Sequence, residues 1–299
     1  MKRPLISVVT PCYNQGQYIE QTILSVLEQN YPHFEYIIID GGSTDESVSI
    51  IRKYKHRLRY WVSEKDHGQA DALRKGFRQA QGDILCWINS DDIFLPGAFA
   101  AVADYFLSNP ETEVVNGGAY CIDEHGTPMT KQFPFFVYSL GFEATHNYFR
   151  FSKAQNLVFQ QSTFWRRTAY EAVGGIDPDL KFCMDFDLFL RLSKRQRFRK
   201  LPYFLACFRL HDECKSSTLE QSRLSEVELL AGRYGQKEYS RAMQAILYWR
   251  YRIPVLAIKS HLYLIRKMGL VQLQEIGSVG TSTCLSHPAR ADEKNWQCL

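Results

Sequence analysis

Short unbroken runs of β-branched and aliphatic residues, each followed by one amphipathic helical stretch, fill the first 118 residues of the chain. ISVVT (6–10) precedes helical spacing at Ile19, Ile23, Val26 and Leu27, and EYIIID (35–40) precedes a helix near 45–54. RYWVS (59–63) leads to a helix over 69–80, and DILCWIN (83–89) to one opening at Pro96; TEVVNGG (112–118) supplies a fifth strand. A strand that is apolar at every position has no face to offer water, so both faces must be covered. Single helices between such strands are the crossovers of a parallel sheet. The expected fold is therefore α/β, a mostly parallel sheet flanked by helices.

Beyond residue 119 the rhythm breaks. YCIDEHGTPM predicts a hairpin turning near Gly126, and the aromatic stretch 133–151 a loop or lid. STFWRR (162–167) predicts a strand, followed by a helix that ends at Gly174-Gly175. DFDLFLRLSK (185–194) predicts a helix, and 202–210 a last strand running into His211. The pattern from 218 is helical, and 276–299 has the polar composition of a disordered tail. The expected division is a globular unit over 1–217, a C-terminal helical extension over 218–275 and a tail over 276–299.

Composition removes several classes. The 299 residues carry 36 Lys and Arg against 32 Asp and Glu, a net +4, with 45% hydrophobic and 23% charged residues. Those values exclude a disordered, collagenous or coiled-coil chain, and so small a charge does not by itself imply a nucleic-acid partner. The 8 cysteines form no C-x-x-C pair and no Cys/His spacing suited to zinc. That usage fits buried thiols in a reducing, cytoplasmic setting. The apolar run in MKRPLISVVT is too short for a signal peptide, and no stretch approaches the roughly 18–20 apolar residues of a spanning helix. A soluble or peripheral protein is expected.

Ligands of an open parallel sheet bind beyond the carboxyl ends of its strands. Here four strand ends carry polar groups: Pro11-Cys12-Tyr13-Asn14, Asp40, Ser63-Glu64-Lys65-Asp66, and Asn89-Ser90-Asp91-Asp92. Asp91 and Asp92 repel each other unless donors or a cation compensate, and a hard divalent ion is a natural partner. Equally, Asp92 can cap the next helix while Asp91 is solvated. Asp40 either precedes an ordinary turn at Gly41-Gly42-Ser43-Thr44, with Ser43 or Thr44 capping the next helix, or reaches a nucleoside's ribose or base edge. Tyr13 either stacks on a base or packs on the surface. Asp185 and Asp187 open a helix, where acids are favourable for dipole reasons alone, yet Asp185 also suits a general base. His211 is a metal or phosphate ligand or a structural histidine. No dinucleotide fingerprint or Walker motif is present.

Taken in order, SVVTPCYNQGQYIEQTILSVLEQNYPHFEYIIIDGGSTDES, EKDHGQADALRKGF, WINSDD, MDFDLFLRL and RLHDECKS resemble the inverting glycosyltransferases of family 2, over about residues 4–215. The resemblance implies a GT-A fold with a nucleotide-binding sheet, a UDP-, GDP- or dTDP-sugar donor, and Mg or Mn on the diphosphate. Position by position it puts Pro11, Tyr13 and Asn14 in the nucleotide loop, Asp40 on the base and Asp66 in the donor loop. Asn89-Ser90-Asp91 matches the family's D-x-D, with Asp91 on the metal; Asp185 matches the base, and His211 a later metal or phosphate contact. Asn89 replaces the first acid of D-x-D, and Met184 replaces the Glu that usually precedes the base. Arg74 stands where many relatives carry Asn; it either supplies charge to the diphosphate or faces solvent. Acceptor contacts are expected from 119–160, the 174–184 loop, Gln160, Gln161 and Asp187.

The implied reaction is a single inverting displacement onto an acceptor hydroxyl of a glycan or lipid-linked saccharide, with UDP-sugars favoured. Residues 239–268 mix aromatics with Arg241, Arg250, Arg252, Lys259, Arg266 and Lys267. They predict either an interfacial helix on the inner face of the membrane or a helical hairpin packed on protein, kinked at Pro254. A nucleotidyltransferase is the rival enzyme, though PCYNQGQ lacks the lysine such a loop carries. A basic nucleic-acid-binding module is the rival outside enzymes, and no recognition motif supports it.

Overall fold

The computed structural model describes residues 2–129, 146, 158–212 and 220–235. Its first half follows the expected alternation: β1 (Ile6–Cys12), α1 (Ile19–Leu27), β2 (Phe34–Asp40), α2 (Ser47–Lys53), β3 (Tyr60–Ser63), α3 (Gln69–Gln79) and β4 (Ile84–Trp87). β1 pairs in parallel with β2 and β4, and β2 in parallel with β3. All four strands therefore end at one edge.

The apolar runs are buried on both faces because the sheet has a core on each side. Val9, Ile37, Ile39 and Trp87 face one core, with α3; Val8, Tyr36, Ile38 and Cys86 face the other, with α1 and α2. α1 buries Ile19, Ile23, Val26 and Leu27, a stripe at helical spacing. α3 lies so close to β1 that a Cβ at Gly76 would collide with the Val9 side chain, so only glycine fits there.

The second half is less regular. β5 (Ile93–Phe94), α4 (Ala98–Ser108), β6 (Val114–Ile122), β7 (Thr163–Arg166), α5 (Arg167–Ala172), α6 (Met184–Arg195), β8 (Arg199–Arg209) and α7 (Glu220–Tyr234) complete the chain. The eight-stranded sheet runs β3-β2-β1-β4-β7-β6-β8-β5. β7 enters antiparallel between β4 and β6, while β6 and β8 are parallel. The sheet is thus mostly parallel with antiparallel insertions, and GT-A in type.

Three boundaries differ from the sequence expectation for tertiary reasons, and one expected turn is found in place. The helix expected at Pro96 begins at Ala98, because Ile93 and Phe94 pair with β8 and Leu95 N–H donates to Leu205. The fifth strand continues to Ile122, since β8 accompanies it along that length. The last strand is longer than 202–210 and opens at Arg199, where it already pairs with Val115. The turn at Gly126 is present, closed by Asp123 N–H to Thr127 and followed by a bridge between Ile122 and Pro128. The expected lid over 133–151, apart from residue 146, lies outside the described residues, as do the basic stretch 239–268 and the tail.

Helix α7 falls beyond the expected boundary at 217, yet it packs on the main core: Leu230 is 2% exposed and belongs to the cluster formed with α3 and α6. No helix among the described residues is long and apolar enough to cross a membrane.

Candidate active site

The loop after β1 is stitched to the loop after β2. Asn14 N–H donates to Ser43 Oγ (2.8 Å) and Asn14 Oδ1 accepts from Thr44 N–H (2.9 Å). Gln15 N–H reaches Ser47 Oγ and Gly16 N–H reaches Asp45. Asn14 has φ 51°, a left-handed conformation that asparagine tolerates better than most residues. This frame leaves Tyr13 62% exposed at the edge, while Pro11 is buried within β1. Beside it, burial and then the Asp40 charge push the Cys12 thiol up to about 12, so it is no nucleophile at neutral pH.

Asp40 is fully buried at the end of β2. Its carboxylate accepts from Gly42 N–H, Ser43 N–H, Ser43 Oγ and Ser63 Oγ. These bonds order the turn, but neither Ser43 nor Thr44 caps the next helix, because α2 begins at Ser47 with Glu46 at its N-cap. A contact from Asp40 to a base requires one of those bonds to be exchanged. Asp66 sits against Gly41, where a Cβ would come within 2.8 Å of its Oδ2. Burial, seconded by Asp71 and Asp40, holds the Asp66 carboxyl above the usual carboxylate range, against the pull of Gly68 N–H and Lys75. Arg74 is half-buried on α3, close enough to Tyr170 for its charge to act on that phenol.

The Asn89–Asp92 turn is held from three sides. Gln69 Nε2 donates to Asn89 Oδ1 at 2.8 Å, and the Thr22 hydroxyl lies between the carbonyls of buried Ser90 and Asp92, at 2.9 and 2.7 Å. The third support is Arg209, a fully buried arginine at the end of β8. Its N–H donates to Asp92 Oδ1 (2.9 Å), its Nε to the Asp91 carbonyl (2.7 Å), and its Nη atoms to the carbonyls of Asp123 and Glu124 and to Gln21 Oε1. The guanidinium also covers the Tyr18 ring at 5.0 Å.

Two residues on, His211 Nε2 lies 3.1 Å from Asp91 Oδ2 across 120 positions of sequence. The two expected cation ligands are thus in contact. Asp92 turns inward: burial first, and the Asp91 charge second, raise its carboxyl well above the usual range. Magnesium and manganese need only one or two carboxylates when a diphosphate supplies further oxygens. Asp91 with His211 fits an ion that arrives with its substrate. A resident cage is not formed, since among the described residues no three His, Cys, Asp or Glu side chains converge on one point.

On the other side, Asp185 is half-buried in the first turn of α6, with Oδ1 accepting Phe186 N–H at 2.7 Å. Asp187, expected near the acceptor, is instead fully buried. It accepts from the Arg191 guanidinium of its own helix, which also donates to the Val173 carbonyl at the end of α5, and from the Tyr234 hydroxyl of α7, so its bonds serve packing rather than a ligand. Gln160 donates its Nε2 to the Trp87 carbonyl at the end of β4. Gln160 Oε1 and Gln161 Nε2 are buried and have no hydrogen-bond partner among the described residues. The sequence reading missed Arg209, Gln69, Thr22 and Glu226. The only signal for Arg209 was a charged residue closing an apolar strand inside RLHDECKS.

A parallel half-sheet whose strand ends carry Tyr13, Asp40 and Asp91, continued by a mixed half-sheet and the helix that opens with Asp185, defines a GT-A transferase architecture. The chain belongs to glycosyl transferase family 2, whose family model matches residues 7–172. It is 42% identical over 132 residues to TuaG of Bacillus subtilis, a glycosyltransferase whose name assigns it to teichuronic acid biosynthesis; the match covers 43% of this chain and 52% of TuaG. The chain thus spans about half the length of this curated relative. Among solved structures, S. aureus TarS 1-349 in complex with UDP-GlcNAc superposes with TM-score 0.63 at 17% identity, covering 81% of this chain and 70% of that one. The mannosyltransferase PcManGT of Pyrobaculum calidifontis, in complex with GDP-Man and Mn2+, superposes with TM-score 0.58 at 18% identity over 91% and 82% of the two chains. At these identities the two structures speak for the fold.

Proposed function

We propose that the chain transfers a sugar from a nucleotide-diphosphate donor, UDP-sugars favoured, to a hydroxyl acceptor during cell-surface polysaccharide or glycolipid synthesis. The contact between Asp91 and His211, at the edge where β1, β2 and β4 end, carries this reading. It creates a small polar focus of one carboxylate and one imidazole on rigid elements, suited to a cation-bound diphosphate. Tyr13 offers its exposed ring to the base, and Asp40, Asp66 and Arg74 line the donor side. TuaG's name and the UDP-GlcNAc bound by TarS support a nucleotide-sugar donor in polysaccharide assembly.

In this scheme Asp185 removes the proton as the acceptor hydroxyl attacks the anomeric carbon from the face opposite the diphosphate. One displacement inverts the configuration, and no covalent nucleophile is needed. Asp91 and His211 would hold Mg or Mn, which when bound neutralises charge on the departing nucleoside diphosphate. Gln160 and Gln161 are oriented by the Trp87 carbonyl and the surrounding core, and their unpaired amide atoms are assigned to sugar hydroxyls, because a buried polar atom left unpaired is costly. We assign the catalytic unit to 1–235, with α7 included, and its place to the cytoplasm, at the inner face of the membrane if 239–268 binds lipid.

The test is thermal-shift and calorimetric titration with UDP, GDP and dTDP, with and without manganese. At least one nucleotide should bind in a manganese-dependent way, and Asp91→Ala should abolish that dependence. Unchanged nucleotide affinity of Asp91→Ala in manganese would overturn the assignment.

A further inference from the structure

Helix α7 is anchored by Leu230, with Val227 and Tyr234 packed on the same core at i−3 and i+4. Around this anchor its polar groups reach the segment that carries Asp185 into place. The Glu226 carboxylate accepts three consecutive main-chain N–H groups, from Lys181 (2.7 Å), Phe182 (2.9 Å) and Cys183 (2.8 Å). Cys183 is the N-cap of α6, and its own side chain makes no capping bond to the helix. Glu226 therefore fixes, from 43 positions away, the stretch of main chain that leads into α6 and ends at its N-cap. A carboxylate on consecutive N–H groups makes charge-assisted bonds and sits favourably at the positive end of the helix. Tyr234 holds Asp187 in the first turn itself, and Arg233 holds Asp177 on the approach. Asp185 thus lies between two points pinned by α7.

We infer that Glu226 is a positioning residue: by fixing the main chain at 181–183 it sets the direction in which Asp185 meets the acceptor hydroxyl. The inference rests on the reading of Asp185 as the base. A purely structural contact would lower stability and affect every function alike. A positioning residue lowers turnover while leaving nucleotide binding alone, because the donor side is built on β1, β2 and β4 and does not include α7.

The test is a double-mutant cycle on the full chain, with turnover measured on UDP-, GDP- and dTDP-sugars and UDP affinity measured in parallel. Glu226→Ala should lower turnover on the order of ten- to a hundredfold, the scale set by small misplacements of a reacting group. UDP affinity should stay within about twofold, a difference too small for the donor contacts to have changed. In an Asp185→Asn background, Glu226→Ala should cost nothing further, since the group it positions is gone. Amide exchange at 181–183 should quicken in Glu226→Ala, and Glu226→Gln, which keeps an acceptor oxygen, should fall between it and wild type in both readouts. If Glu226→Ala does not fold, Glu226→Gln carries the cycle. An additional loss in the Asp185→Asn background, or equal effects on affinity and turnover, would overturn the inference. Faster exchange without slower turnover would also overturn it. Wild-type protein that turns over none of the donors would instead sink the reading of the site, and this inference with it.

Discussion

The donor edge and the α6–α7 side of this molecule are built in different ways. At the donor edge, each loop is braced by the loop of the next βα unit: Asn14 on Ser43 and Thr44, Gln15 on Ser47, Asp40 on Ser63. The Asp185 helix is braced from α7, through Glu226, Tyr234 and Leu230. The donor edge is closed on itself, with the carboxylate of Asp40 already satisfied. Buried polar atoms without partners among the described residues occur beside both, at Gln15 and Asp92 in the donor loops and at Gln160, Gln161 and Asn116 on the mixed half-sheet. Loops that brace one another fix the strand ends of the donor edge, whereas the Asp185 helix depends on a helix from the far end of the described chain.

That contrast can be broken most directly at Asp185. Asp185→Asn should bind UDP as wild type does but lose transfer by about 10²–10⁴-fold, the usual contribution of a general base. Near-normal turnover would remove Asp185 from the chemistry. Arg209 braces the Asn89–Asp92 turn from the end of β8, so its loss should fall on the donor edge and leave the α6–α7 side intact. Arg209→Met leaves Asp92 buried without its charge partner and should cost about 3–5 kcal/mol in denaturant unfolding, together with manganese-dependent nucleotide binding. A stable Arg209→Met protein would show that the turn stands without its brace.

Smaller changes sharpen the donor side. Tyr13→Ala should weaken UDP binding by about 1–3 kcal/mol in calorimetry if the ring stacks on the base, with no loss of stability because the side chain is exposed. Unaltered affinity would assign Tyr13 to surface packing. Asp66 provides the smallest effect. Its folded carboxyl is raised, so the folded state binds the proton more tightly than the unfolded one, and stability falls as pH climbs from the ordinary Asp range through the raised value. Asp66→Asn should therefore match wild type in melting temperature near pH 3 and exceed it near pH 7. A difference that does not grow with pH would mean that Asp66 is better compensated than its neighbours suggest.

The readable and unreadable parts of the site divide along the same line. Each of the first four strands announces itself by its apolar run, and the polar residue at its end is adjacent in sequence, so Asp40, Asp66 and Asp91 could be placed at one edge before any coordinates. The helix opening at Met184 was legible too. What could not be read was commitment. Asp187 has the same residue type and helical turn as Asp185, but Arg191 and Tyr234 claim it for the core. Likewise nothing in the local sequence distinguishes Glu226, which holds the main chain leading into a distant helix, from Glu228, which is exposed.

Periodicity and strand-end chemistry were enough to establish the parallel half-sheet, the edge at which its strands end and the residue types available there, because those properties depend on neighbours within one βα unit. The insertion of β7 between β4 and β6, the meeting of Asp91 with His211, the burial of Arg209 and the clamp of α7 on the Asp185 helix arose only on folding. They depend on which distant groups pay the cost of leaving water together, and a linear chain does not record its partners across a hundred residues.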